Sequence, residues 1–128
     1  MPSFNKGTIM GNLVRDPEKR QTPSGAVVVS GTIVANRNFN DSNGEKKEEA
    51  CFIDYEIWGK QAETLHQYSK QGDCILFEYR LKQDKWQNDA GENRSKIKLV
   101  VLGFTFVISK KTDDSTEDNA NEDVGSNF

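Results

Sequence analysis

Residues 49–58 alternate between apolar and polar side chains, and this pattern constrains the fold more than any other part of the chain. Cys51, Ile53, Tyr55 and Ile57 fall on one strand face, and the opposite face carries Phe52, Asp54, Glu56 and Trp58. Successive side chains of an extended strand point to opposite faces of a sheet. The segment therefore predicts a strand with one face in a core and the other turned outward.

Strand patterns recur on both sides of this segment, and one helical segment interrupts them. Apolar and β-branched residues favour strands at 8–14 and 26–35, and alternation returns at 75–81 and 97–101. Residues 60–70 lack glycine and proline, place Ala62, Leu65 and Tyr68 at helical spacing, and are followed by Gly72 as a stop. Turn residues cluster at 22–25, 40–44 and 89–92. Three strands, one helix and two strands predict an all-β, five-stranded OB-fold barrel with one short helix.

Charge is distributed unevenly along the chain. The formal net charge is -3, but residues 113–128 hold six acidic residues and no lysine or arginine. Residues 1–112 therefore hold 17 basic and 14 acidic residues, a net charge of +3. Residues 109–128 contain too few large apolar side chains to offset the entropy of ordering. We therefore assign residues 1–108 to the OB-fold domain and residues 109–128 to a disordered acidic tail.

Several classes of protein are disfavoured by what the sequence lacks. No apolar run approaches the roughly 20 residues that cross a bilayer, and the first ten residues do not resemble a secretory signal. We therefore expect a cytoplasmic protein without membrane contact. Cys51 and Cys74 form no Cys-x-x-Cys motif, and a cytosolic disulfide between them is not expected. With His66 as the single histidine and no glycine-rich phosphate loop, we predict no metal, no cofactor and no catalytic site.

Three aromatic residues fall on the polar faces of their predicted strands. Phe52 and Trp58 share their face with two acidic residues, and Trp86 shares its face with Arg80 and Lys82. Large aromatic side chains turned toward water mark a contact surface. Bases stack on flat rings while phosphates meet neighbouring cations, here including Lys60, so this combination favours a surface for single-stranded nucleic acid.

The same aromatics have a plainer structural explanation. A tryptophan on a strand often covers a barrel end or packs beneath a helix, although three such residues in two strands favour a contact surface. Phe39 stays undecided, because it shares parity with Arg37 and also with the apolar Ile33. Asp54 and Glu56 count against the hypothesis, since carboxylates on the supposed contact face would repel phosphate.

Short motifs along most of the chain resemble the bacterial single-stranded DNA-binding protein family. They are Gly11-Asn12-Leu13, Asp16-Pro17-Glu18, Thr22-Pro23-Ser24-Gly25, Ala35-Asn36-Arg37-Asn38-Phe39, Trp58-Gly59-Lys60-Gln61-Ala62-Glu63, Gly72-Asp73, residues 78–81, Lys85-Trp86 and Asp89-Ala90-Gly91. The motifs span about residues 5–106 in one register, which makes the resemblance specific. It implies an OB-fold that assembles as a homotetramer and wraps DNA over its surface.

The resemblance also implies a function and a set of binding residues. The function is sequence-independent binding and protection of single-stranded DNA in replication, recombination and repair. The aromatic positions implied to stack on bases are Phe39, Phe52, Trp58 and Trp86. The basic positions implied on the DNA path are Arg15, Arg37, Lys60, Arg80, Lys82 and Arg94.

The C-terminal end resembles the acidic, phenylalanine-terminated end of this family. The resemblance implies that Asp123 and Phe128 bind replication and repair proteins. The family's usual end has clustered aspartates followed by Ile-Pro-Phe, whereas this chain ends Asp123-Val124-Gly125-Ser126-Asn127-Phe128. The identity of the partners therefore stays open. The location also stays open between the bacterial nucleoid and, for a phage-encoded protein, the host cytoplasm.

Two other functions fit an OB barrel. An RNA-binding module would prefer structured or specific RNA and would cluster its aromatics differently. A module for protein assembly would show no salt-dependent binding to oligo-dT. For assembly itself, residues 8–14 are the candidate interface, because an exposed strand edge invites pairing.

Overall fold

The structure is a computed structural model, and its described part, residues 1–107, forms six strands and one helix. The elements are β1 (Gly7–Leu13), β2 (Glu18–Gln21), β3 (Val27–Asn40), β4 (Lys46–Trp58), α1 (Lys60–Tyr68), β5 (Cys74–Gln87) and β6 (Asn93–Phe106). No helix within these residues is long and apolar enough to cross a membrane. Residues 108–128 lie outside the described part, so the domain boundary at 108 and the acidic tail stay predictions.

One sheet in the order β1-β5-β6-β4-β3-β2 curls until β1 also pairs with β3. The closing contact is short, with Asn12 opposite Val34 and Leu13 opposite Ile33. It depends on Gly11, because a Cβ at this position would lie 2.2 Å from the carbonyl oxygen of Val34. The five-stranded barrel with one short helix that the sequence predicts is thus confirmed.

The core lies inside the barrel and is filled from every closing strand. Ile33, Tyr55, Phe77 and Leu99 are all at most 1% exposed. The helix α1 follows β4 directly and adds its two buried residues, Ala62 and Leu65, to the same cluster. Of the apolar positions predicted from alternation, Tyr55 and Ile57 are buried and Ile53 packs against the core, so they form the inner face of β4 and the even positions form its outer face. Cys51 has the same parity but is exposed, because it lies on the part of β4 that extends beyond the core.

Two features of the sheet differ from the sequence prediction. The four residues of β2 are all exposed and polar, and they form a strand because they pair with β3 from Glu18 opposite Ser30 to Gln21 opposite Val27. The strands β3, β5 and β6 are also longer than predicted. Their ends project beyond the barrel as hairpins whose side chains are mostly exposed on both faces, so apolar alternation fades there.

Candidate nucleic-acid interface

The sides of β3, β4, β6 and β5 that point away from the core form one continuous surface. We call this surface the outer face. On β4 this surface carries Phe52, which is 61% exposed, and Trp58, which is 42% exposed. On β5 it carries Trp86, which is 47% exposed. Strand parity therefore selected three aromatics that do lie open to solvent on this side of the sheet. Rings of this size exposed together can accept flat, apolar ligands.

Trp86 lies on the hairpin that joins β5 and β6. Its register partner is Arg94, so the ring and the guanidinium leave the same face of the hairpin. Both residues line a shallow depression at this end of the sheet. Arg94 also forms a salt bridge of 3.0 Å with Glu92 in the turn. The hairpin thus presents an aromatic ring and a cation side by side, as base stacking and phosphate binding require.

The two carboxylates of β4 that counted against nucleic-acid binding are paired with lysines. Asp54 forms a salt bridge with Lys96 and accepts a hydrogen bond of 2.7 Å from the Thr32 hydroxyl. Glu56 lies 2.7 Å from Lys98 Nζ, measured to its Oε1 atom. The charge repulsion expected at these positions is therefore largely neutralised within the protein.

Glu56 also belongs to a closed ring of alternating charges, which we call the charge ring. Lys98 Nζ lies 2.7 Å from Asp84 Oδ2, Lys82 Nζ lies 3.7 Å from Asp84 Oδ1, and Lys82 Nζ lies 3.9 Å from Glu56 Oε2. The ring joins β4, β5 and β6, and Lys82 and Lys98 are register partners. Glu56 further accepts a hydrogen bond of 2.9 Å from the indole nitrogen of Trp58.

These contacts shift the titration of the paired groups. The hydrogen bond from Lys96, with that from Thr32, holds the pKa of Asp54 below its usual value. Burial acts to raise the pKa of Glu56, but its bonds to Lys98 and Trp58 outweigh burial and leave that pKa lowered. The same ring lowers the pKa of Asp84, chiefly through its bond with Lys98. Charged carboxylates are thus the stable form around neutral pH.

Phe39 and Arg37 lie together, but away from the three exposed aromatics. The guanidinium carbon of Arg37 sits 4.5 Å from the centre of the Phe39 ring, and Arg37 Nε is 3.2 Å from Glu49 Oε1. Both positions have the parity of Ile33, opposite to that of the outer face, on the part of β3 that projects beyond the barrel. The pair forms a separate aromatic and cationic patch on the β3–β4 hairpin.

The remaining basic positions predicted from the sequence are all exposed. Arg80 lies on the outer face of β5, and Lys60 is the first residue of α1, two positions after Trp58. Neither forms a salt bridge with another residue of the described 1–107 segment. Arg15 pairs with Glu18 at 3.7 Å, and its charge contributes to the lowered pKa of Asp54. Arg15 is therefore exposed but already has an acidic partner in Glu18.

Sequence reasoning missed Lys96 and Lys98, which neutralise the outer face. A signal for them exists, because Arg94, Lys96 and Lys98 follow one another at the two-residue spacing of a strand face. Within residues 1–107, no group of three or more histidine, cysteine or acidic side chains is placed to hold a metal ion. The partner-binding positions Asp123 and Phe128 lie outside the described residues.

Comparison with known proteins gives concordant results. The model of the single-strand binding protein family matches residues 4–107. The single-stranded DNA-binding protein of Helicobacter hepaticus is 36% identical over 116 residues, covering 91% of this chain and 68% of that protein. That of Wolinella succinogenes is 37% identical over 107 residues, covering 84% and 66%. The chain thus spans about two thirds of the length of these relatives.

A solved structure described as the Plasmodium falciparum single-stranded DNA-binding protein in complex with single-stranded DNA resembles the fold. Its TM-score is 0.78 at 16% identity, and the match covers 84% of this chain and 98% of that one. The family and these relatives are named for binding, which agrees with the prediction of a protein without catalytic activity.

Proposed function

The chain belongs to the single-strand binding protein family, and we propose that its outer face binds single-stranded DNA without sequence preference. The observation that carries the proposal is the placement of Phe52, Trp58 and Trp86, which are exposed on one side of the sheet. Arg80 and Arg94 lie on the same side, and Lys60 follows Trp58 by two residues. Every base has a flat face that can stack on an aromatic ring, so such a surface tolerates any sequence.

We infer that the phosphates follow the cations of the outer face. Lys60 and Arg80 can meet phosphates directly. Lys82 would exchange a contact in the charge ring for a phosphate, and Arg94 would exchange its contact with Glu92. Arg15, and Arg37 with Phe39 on the β3–β4 hairpin, would extend the path. Each phosphate contact releases counterions, so binding should weaken as salt rises.

We further propose that the acidic end of the chain recruits replication and repair proteins in the cytoplasm. Residues 113–128 supply six negative charges, and Phe128 supplies an aromatic ring beside a carboxylate. Near a basic domain this segment would also compete weakly with DNA, and salt would screen that competition. Deletion of residues 113–128 should leave DNA binding intact or tighter at low salt. Phe128→Ala alone should abolish partner capture, and weaker DNA binding after deletion would contradict this role.

We propose a homotetramer as the assembly. The strand β1 pairs with β5 from Gly7 to Asn12, but with β3 only at Asn12 and Leu13. Among the described residues, the second edge of 7–11 therefore has no strand beside it, and such an edge is suited to pairing with another copy. Light scattering at micromolar concentration should give about four times the 14.4 kDa chain mass. A monomer would remove the assembly claim and leave DNA binding untouched.

The test of the proposed function is titration with oligo-dT at several salt concentrations, followed by tryptophan fluorescence. Binding should quench Trp58 and Trp86 and should weaken steadily with salt. Absence of salt-dependent binding would instead indicate a module for protein assembly. Stronger binding to a structured RNA of equal length would indicate an RNA-binding module.

A further inference from the structure

Glu56 is a charged residue held almost entirely away from water in the middle of the outer face. The residue is 8% exposed, and both of its carboxylate oxygens have partners. Oε1 lies 2.7 Å from Lys98 Nζ, and Oε2 accepts the Trp58 indole N–H at 2.9 Å. A carboxylate buried this far needs full pairing to be tolerated. One of its partners here is a ring that the proposed function uses for stacking.

We propose that Glu56 is a positioning residue that holds the Trp58 ring in its stacking orientation before DNA arrives, an inference that rests on the function proposed above. The indole N–H is the single hydrogen-bond donor of a tryptophan side chain, so one strong acceptor restricts how the ring can rotate. A side chain that is already ordered loses less conformational freedom when a ligand binds.

The charge ring keeps that acceptor in place. Lys98 Nζ lies 2.7 Å from Glu56 Oε1 and 2.7 Å from Asp84 Oδ2. Through Lys98 on β6 and Asp84 on β5, Glu56 is therefore tied to two other strands. Lys82 completes the ring from the opposite side. The Glu56 carboxylate is therefore held by two lysines independently of its hydrogen bond to the indole.

The matched variants are Glu56→Gln and Glu56→Met. Both remove the negative charge and both are close to glutamate in length, so any change in phosphate repulsion is the same in each. The glutamine keeps an oxygen that can accept the indole N–H, whereas the methionine has only a weak sulfur acceptor. The difference between the two variants therefore isolates the hydrogen bond.

The first measurement needs no DNA. The chain has two tryptophans, so Trp86→Phe leaves Trp58 as the single tryptophan emitter. In that background, time-resolved fluorescence anisotropy should show a larger fast component, from local ring motion, in Glu56→Met than in Glu56→Gln. Equal fast components in the two variants would overturn the proposal, whatever DNA binding shows.

The second measurement is oligo-dT affinity in the chain with both tryptophans. Glu56→Met should bind about two- to tenfold more weakly than Glu56→Gln, which corresponds to the entropy of immobilising one side chain. The gap should vanish in a Trp58→Phe background, which has no indole N–H, and a gap that persists there would overturn the proposal. If circular dichroism shows that Glu56→Met does not fold, Glu56→Leu replaces it in the comparison with Glu56→Gln. If the wild-type chain fails to bind oligo-dT, the proposed function fails, and anisotropy still decides the tether.

Discussion

Lys98 and Asp84 are joined by a salt bridge of 2.7 Å across β5 and β6, although neither residue is the other's register partner. Lys98 holds Glu56 at the same distance, so one lysine bridges two carboxylates of the outer face. Burial acts to lower the pKa of Lys98, but its bonds to Asp84 and Glu56 outweigh burial and leave that pKa raised. The lysine therefore stays charged, and its charge is shared between two internal partners.

Removing one carboxylate from the charge ring should release cationic charge toward DNA. In Asp84→Asn, Lys82 and Lys98 lose one shared partner, so oligo-dT should bind more tightly at low salt. The plot of log affinity against log salt should steepen by about 0.7, the value for one added phosphate contact on a single strand. The control is Glu63→Gln in α1, which changes the net charge equally but lies off the outer face. Equal slopes for Asp84→Asn and the control would contradict the prediction.

The exposed tryptophans should each contribute stacking energy. Trp58→Ala and Trp86→Ala should weaken oligo-dT binding about tenfold or more, since stacking contributes roughly 1–3 kcal/mol per base. Tyr68→Ala is the matched control, because Tyr68 is 64% exposed but lies at the end of α1. Wild-type affinity in both tryptophan variants, with folding intact, would remove the stacking assignment.

Tyr55→Phe should stabilise the barrel. The Tyr55 hydroxyl is buried and has no hydrogen-bond partner among residues 1–107. It also lies against the backbone of Gly31, where a Cβ would be 2.6 Å from Oη. An unsatisfied buried hydroxyl costs about 1–3 kcal/mol, so the urea midpoint should rise. Tyr68→Phe, which removes an exposed hydroxyl, is the control, and a fall in the midpoint of Tyr55→Phe would show that the hydroxyl is stabilising.

Stability should decline on both sides of neutral pH. The lowered pKa values of Asp54, Glu56 and Asp84 contribute stability above the unfolded carboxyl pKa of roughly 4, and this contribution is lost as pH falls through the folded values. Burial raises the pKa of Tyr55 from 10.0 to about 12, so its contribution is present below pH 10.0 and is lost as pH rises toward 12. Urea midpoints measured from pH 2 to pH 12 should show both losses. Asp84→Asn should reduce the loss of stability at acid pH, and Tyr55→Phe should reduce the loss at alkaline pH. Variants whose urea midpoints depend on pH as the wild type's do would contradict these assignments.

Much of the fold and part of the candidate site were predictable from local patterns. Alternation in residues 49–58 separated the core positions of β4 from Phe52 and Trp58, because side-chain direction along a strand has a period of two. The same rule placed Trp86 on the outer face, and the change to helical spacing marked α1. The short strand β2 escaped prediction because its four exposed polar residues have no apolar face, and pairing with β3 alone makes them a strand.

What only the tertiary structure decided is which distant side chains meet on the outer face. Asp54 and Lys96 are 42 residues apart, and Glu56 and Lys98 are equally far apart. They meet because β4 and β6 lie parallel and adjacent, with Glu56 opposite Val100. From the sequence, Asp54 and Glu56 were unpaired charges that opposed DNA binding. Parity reports the face on which a side chain lies, whereas its partner depends on the strand order and register of the folded barrel.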